Sequence, residues 1–249
     1  MEDDLLRRAE DLSARCARRG VLTSTQFLTP AEAYRLMQWA KRGAEGAVLL
    51  HGGYEGAERR AAFFLPDWMD ASDFDPAEHI CALEGAAAFG EPGHRDWMGA
   101  ALGLGIGREW LGDILVDGNR AVLFCLPSVK EHLLLNLDKA GRWGVKLKEI
   151  PLAEVTPPAR SMEERVFSVQ SPRLDAVCAG AFRLSRTAAA EAIAAGLLSL
   201  NYAPCLKPDA PVRDGDVLSL RGKGKVAVLD AGSRESKKGR LFVKVGIYR

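Results

Sequence analysis

Residues 173–201 read RLDAVCAGAFRLSRTAAAEAIAAGLLSLN. Leu174, Val177, Cys178 and Phe182 recur at the spacing of one helix face. Ser185 stands where it can cap a second helix, Gly196 where it can close it, and LLSLN reads as a strand. Arg173, Arg183 and Arg186 interrupt this small, apolar pattern, and packing alone does not call for them. Phosphate neutralisation does: it needs cations on a rigid element, and helix N-termini add oriented N–H groups. Arg173 opens the first helix. Arg186 lies in the first turn of the second, where a cation opposes the helix dipole and where its presence points to an anionic partner. Asp175 is close enough in sequence to orient an arginine by an ion pair.

Downstream, YAPCLKPDAPVRDGD is rich in turn residues, and DVLSLRGKGKVAVL reads as strand. In an extended chain, Arg221, Lys223 and Lys225 of RGKGK project from one side, and the intervening glycines allow close backbone approach to a groove. The chain closes with a hairpin, KVAVLDAGSRESKKGRLFVKVGIYR, whose turn carries Lys237 and Lys238. Asn201, at a strand end, is a further candidate contact, with turn chemistry as its alternative. The charge is uneven. Residues 171–249 hold 14 Lys and Arg against 7 Asp and Glu, a net of +7; residues 1–170 hold 20 against 26, a net of −6. A net charge of +1 therefore hides a basic C-terminal third, the footprint of a polyanion-binding module.

Upstream, PLAEVTPPARSME disfavours helix and central strand, which marks residues 153–162 as a linker. Before it, residues 78–152 read as strand, helix, strand, strand, helix, strand. HICALEGAAAF is the first strand and HRDWMGAALGLG the first helix. GDILVDGNRAVLFCLP is a hairpin, SVKEHLLLNLDKAG a helix ending at Gly141, and GVKLKEI the last strand. The βαββαβ order predicts a ferredoxin-like sheet. RNA-recognition motifs share that plan, yet their aromatic, glycine-containing strand signature is missing, so base stacking on this sheet is not expected. Residues 1–77 read as helices plus a β-hairpin. LLRRAEDLSARCARRG has helical periodicity. In TPAEAYRLMQWAKRG, Thr29 and Glu32 form a capping box, and Tyr34, Met37 and Trp39 supply apolar contacts. AVLLHGGYEGAERRAAFFLP gives two strands around glycines. The expected fold class is α+β in three small domains (1–77, 78–152 and 163–249).

Several function classes lose support. No apolar run approaches the roughly 20 residues of a membrane span, and the charged N-terminus is not a secretory signal. Five single cysteines fit a reducing, cytoplasmic setting, and neither they nor the four histidines adopt metal-ligand spacing. Gly103-Leu-Gly105-Ile-Gly107 has the lettering of a methyltransferase loop but trails a helix instead of opening one. His94-Arg95-Asp96 resembles a kinase loop by letters alone and is read as helix capping. No nucleophile–base pair, metal or cofactor is expected.

The pattern RLDAV…AF.LSR..A…I..G…LN…GD.LSLRGKGK resembles an S4 domain, a small RNA-binding module with a helix-loop-helix face (the αL-type fold). The whole chain resembles the bacterial YlmH family of S4-domain proteins. FLTPAEA and GGYEGAERRAAFFLP carry the likeness in the first domain, HRDWMGAALGLGIGREWLGDILV in the second, and ERVFSVQSPRLDA with KKGRL in the third. Two departures are Leu200, where valine is usual, and Lys225, where an arginine fork is common. The resemblance implies a non-enzymatic, ribosome-associated factor that recognises large-subunit rRNA together with tRNA. It also implies rescue of stalled nascent chains and, by genetic context, a link to cell division. The site residues it marks are Arg173, Arg183, Arg186, Asn201, Arg221, Lys223, Lys225, Lys237 and Lys238. The competing class is an RNA-modifying enzyme, a methyltransferase or pseudouridine synthase, that uses S4 as a substrate clamp. Against the synthase, the residues after RLD lack that enzyme's pattern, so Asp175 is read as structural.

Overall fold

The computed structural model describes residues 2–157, 162–236 and 239–248. The chain forms two compact units, Met1–Pro158 and Ala159–Arg249. The division falls inside the expected linker, of which residues 158–161 lie outside the described residues.

In the first unit α1 (Glu2–Arg19) ends where Gly20 turns left-handed at φ +62° and its N–H bonds to the Cys16 carbonyl. Strand β1 (Thr23–Ser24) follows, then α2 (Pro30–Ala40). The capping box is present: Glu32 accepts from the Thr29 N–H at 2.7 Å, and the Glu32 N–H donates to Thr29 Oγ1 at 3.3 Å. The buried face of α2 is Ala33 and Leu36, with Tyr34 turned to solvent and Met37 and Trp39 packed at the edge. Strands β2 (Ala47–His51) and β3 (Ala61–Leu65) complete a sheet ordered β1-β3-β2.

All five residues of β3 are buried, because both faces of the strand are covered. Ala62 and Phe64 pack with α1 and α2, while Ala61, Phe63 and Leu65 join the core beneath the second sheet. A strand enclosed on both faces reads as an unbroken apolar run, which is what AAFFL is.

The second sheet holds β4 (Cys81–Ala87), β5 (Leu111–Asp117), β6 (Arg120–Cys125), β7 (Lys139–Ala140) and β8 (Trp143–Ile150), in the order β5-β6-β4-β8-β7. Every neighbouring pair is antiparallel. The first and third of its strands are adjacent at the centre, as a split βαβ plan requires. Helices α3 (His94–Gly103) and α4 (Pro127–Asn136) supply Trp97, Ala101 and Leu133 to the core on one face. Asp96 accepts from the Gly93 N–H at 2.9 Å, so HRD does cap α3. Helix α4 stops at Asn136, short of the expected Gly141. Asn136 Nδ2 donates back to the His132 carbonyl at 2.8 Å, and Lys139–Ala140 leave to pair with Trp143–Gly144 around a left-handed Gly141. On the other face Ala82 and Phe124 meet Phe27, Tyr54 and Phe63, so residues 1–77 and 78–152 share a core.

The second unit begins with β9 (Met162–Val169), α5 (Leu174–Phe182) and α6 (Arg186–Ala194). Then come β10 (Leu198–Leu200), β11 (Ala203–Pro204), β12 (Val217–Leu220), β13 (Gly224–Glu235) and β14 (Leu241–Tyr248). They form one sheet, ordered β11-β10-β12-β13-β14-β9. Helix α5 is buried along nearly its whole length, and Gly180 is what lets it close on β9: a Cβ there would stand 2.2 Å from the Phe167 ring. Only residues 183–185 separate α5 from α6. Arg183 adopts the left-handed conformation at the end of α5 (φ 54°, ψ 52°), and Ser185 Oγ accepts from the Ala188 N–H at 3.1 Å to start α6.

RGKGK is not extended. Residues 221–223 form the turn between β12 and β13, with Gly222 at φ +77° and Gly224 at φ +101°, so the three cations do not share one side of a strand.

Candidate nucleic-acid interface

The centre of the candidate interface is Asp175, 7% exposed at the start of α5. Its carboxylate accepts from three residues, Arg173 also reaching Oδ2 through Nη2 at 3.4 Å. Arg173 Nε reaches Oδ1 at 3.2 Å, Arg186 Nη2 reaches Oδ2 at 2.8 Å, and the Ala176 N–H reaches Oδ1 at 2.8 Å. The helix–turn–helix makes this possible, because its short turn returns the first residue of α6 to the first turn of α5. Burial pushes the Asp175 carboxyl up; the bonds from Arg186, Arg173 and Ala176 outweigh it and hold the group below the ordinary carboxylate range. One buried charge therefore aims two guanidiniums that remain 45% and 59% exposed. Two cations against one carboxylate leave a net positive surface, suited to phosphate oxygens.

The loop after β11 braces this end of α5. The Leu174 N–H donates to the Ala210 carbonyl and the Asp175 N–H to the Pro208 carbonyl, at 2.9 and 2.8 Å. Exposed Lys207 and Arg213 sit on that same loop. Arg183 is exposed on the connecting turn. Arg221 and Lys223 occupy the β12–β13 tip, where the Arg221 N–H donates to the Leu197 carbonyl at 3.0 Å. That contact places the tip beyond the C-terminal end of α6, about 13 Å along the helix from Arg186 at 1.5 Å per residue. Lys225 stands one residue into β13, opposite Ser219.

Asn201, expected as an RNA contact with turn chemistry as its alternative, has its amide engaged within the protein. Its Nδ2 donates to Asp216 at 2.7 Å, and its Oδ1 accepts from the Val217 N–H at 2.9 Å; the side chain ties the β10 turn to β12. Lys237 and Lys238 lie outside the described residues.

Sequence reasoning missed Arg240. Its Nη2 donates to the Ser168 carbonyl at 2.7 Å and its Nε to Ser168 Oγ at 3.1 Å, and it lines the same cavity as Arg186. The KKGR run was the available signal, but the partner is 72 residues away.

In the first unit, the sheet face away from α3 and α4 carries Glu84, bonded to Lys148 at 2.8 Å and to Arg120 at 3.4 Å. Phe124, on the same face, lies under Tyr54 with ring centroids 4.9 Å apart. One end of the sheet carries an exposed ring and a part-buried one instead. Phe89 is 82% exposed, neighbouring Gly90 lies against Trp143, and the Arg142 guanidinium sits 4.5 Å above that indole. The glycine run 103–107 starts at the last residue of α3, turns at Leu104–Gly105 and leads only into a single 3-10 turn (Arg108–Trp110), so it does not open an α-helix as a nucleotide loop would. Among the described residues no cluster of His, Cys, Asp and Glu could hold a metal ion, and no helix is long and apolar enough to cross a membrane.

The chain is similar to known proteins. Residues 70–154 match a family described as "Putative RNA-binding domain in YlmH". A Bacillus subtilis (strain 168) protein named "Ribosome-associated protein quality control protein P2" is 30% identical over 213 residues, which cover 86% of this chain and 82% of that protein. The chain belongs to the YlmH family. A solved structure, "Cell division protein ylmH from Streptococcus pneumoniae", is similar in fold, with a TM-score of 0.50 and 24% identity over 61% of this chain and 93% of that one.

Proposed function

We propose that this chain is a non-enzymatic, cytoplasmic RNA-binding protein. Its C-terminal unit acts as an S4 module that docks structured RNA of the large ribosomal subunit, with tRNA as a second partner. On this reading it serves as a ribosome-associated factor on stalled large-subunit complexes, with a link to cell division. The observation that carries the proposal is the Asp175 clamp, a buried carboxylate that orients two exposed arginines at the mouth of a helix–turn–helix. The quality-control name of the Bacillus relative supports the ribosomal role, and the name of the Streptococcus protein supports the division link.

Phosphate neutralisation releases counterions, so binding weakens steeply as salt rises. Binding of the native protein, Arg173→Glu and Arg186→Glu to large subunits is measured at two salt concentrations. Weaker binding by both variants, with a shallower salt dependence, is expected. Unchanged affinity at low salt would end the proposal.

A further inference from the structure

A cavity of about 320 Å³ opens in the second unit between the end of β9, the middle of α5 and the start of α6. Phe167, Ala179, Gly180 and Leu184 give it apolar walls, and Arg186 and Arg240 line it as well. Both arginines are fixed in advance, Arg186 by Asp175 and Arg240 by Ser168. A guanidinium carries five N–H donors, so each has donors beyond the bonds that anchor it. Among the described residues no carboxylate lines the cavity. Its volume is at the low end of small-ligand sites, enough for one planar group and too little for a folded segment.

Two pre-oriented cations beside a small apolar recess match one chemistry closely, a phosphate joined to a flat, uncharged ring. Isolated phosphate would leave the apolar wall unused. We propose that this cavity takes a single unstacked nucleotide of the bound RNA, its phosphate held between Arg186 and Arg240 and its base laid against Ala179, Gly180 and Leu184. RNA recognition commonly works on such extruded bases, and base stacking tolerates any of the four. The small side chain of Ala179 is what leaves the recess open on the α5 side. Gln170, also on the wall, places an amide within the cavity where a base edge can be read. This inference rests on the RNA-binding reading and assigns Arg240 and the α5 wall a role in it.

The experiment uses the full chain. Adenosine 5′-monophosphate, adenosine and ribose 5-phosphate are titrated by NMR. A single-stranded RNA carrying 2-aminopurine is titrated by fluorescence against the native protein, Arg240→Ala, Ala179→Leu and Arg173→Glu. Melting curves check folding. The nucleotide is expected to bind at least tenfold more tightly than either of its halves. Arg240→Ala is expected to weaken the oligomer about tenfold, and Ala179→Leu to abolish the 2-aminopurine signal. Equal binding of the nucleotide and ribose 5-phosphate would reduce the cavity to an anion site and overturn the proposal. So would pocket variants that bind the oligomer like the native protein while Arg173→Glu does not, a result that leaves RNA binding itself intact. A native protein that binds no RNA would instead remove the underlying reading. If Ala179→Leu fails to fold, Arg240→Ala and the mononucleotide titration decide the matter.

Discussion

Two clusters in this protein are built from the same parts, one aspartate and two arginines, and they come out differently. In the first unit Asp113 accepts from Tyr54 Oη at 2.9 Å and from the N–H groups of Glu58 and Arg59 at 2.7 and 3.2 Å. The arginines beside it turn inward. Arg59 donates to the carbonyls of Leu111, Phe27 and Arg108, and Arg108 donates to those of Leu111 and Gly112. Burial, then the nearby Arg59 guanidinium, lowers Arg108 to about 10. In the second unit Asp175 is the buried member and its arginines face solvent. The destination of the guanidinium N–H groups separates a fastener from a binding surface. The Arg59 and Arg108 groups end on backbone carbonyls, whereas Arg173 and Arg186 stay about half exposed, where on the proposed reading they meet phosphate.

The largest expected effect tests the fastener. Asp113→Ala strips the acceptor from three donors and removes a carboxylate that acts on the Arg59 and Arg108 guanidiniums only through space. A loss of roughly 3 kcal/mol is expected, since hydrogen bonds to a charged group are worth about that scale. Urea denaturation measures it, and RNA affinity of the folded variant should be unchanged.

Arg186→Glu should act chiefly on binding. Affinity for RNA should fall tenfold or more, while stability falls by about 1 to 2 kcal/mol, because buried Asp175 loses one partner and gains a like charge. Anisotropy titration and melting curves together separate the two clusters, and a variant that loses both equally would erase the distinction.

Asp175→Asn is intermediate, because it keeps the shape and weakens the clamp. The Asp175 carboxyl lies below its ordinary value, so its contribution to stability is complete above the ordinary carboxylate pKa and is lost as pH falls through the lowered one. The gap in melting temperature between native protein and Asp175→Asn should therefore be full near neutrality and close in acid. A gap that persists at the acid end would mean the asparagine acts by some other route.

The smallest effect belongs to Asn201→Ala, expected to cost about 1 kcal/mol, an ordinary hydrogen-bond contribution, with RNA affinity unaltered. Reduced affinity without lost stability would return Asn201 to the interface.

Local signals carried most of what was legible in the sequence. The Thr29–Glu32 box, the Ser185 cap and helices α5 and α6 need only neighbours within a turn or two, and they are present as expected, although α5 is buried beyond the one apolar face its period predicts. Arg173, Asp175 and Arg186 could be associated because one short turn joins their helices. Features that depend on distant partners stayed hidden. Asp113 finds its donors 54 to 59 residues away, and Arg240 finds Ser168 at a separation of 72. RGKGK and the end of α4 were misread for another reason. Left-handed glycines at 222, 224 and 141 turn the chain where charge spacing or apolar period would continue it.

The central claim is that Arg186, aimed by Asp175, meets RNA in the cell. Crosslinking followed by sequencing of the bound RNA, for the native protein beside Arg186→Glu, tests it most directly. The account predicts a discrete footprint on large-subunit RNA, with or without tRNA, that vanishes in the variant. A footprint that is diffuse, or that survives the substitution, would contradict it and move the search to Phe89 and the Arg142–Trp143 end of the first unit.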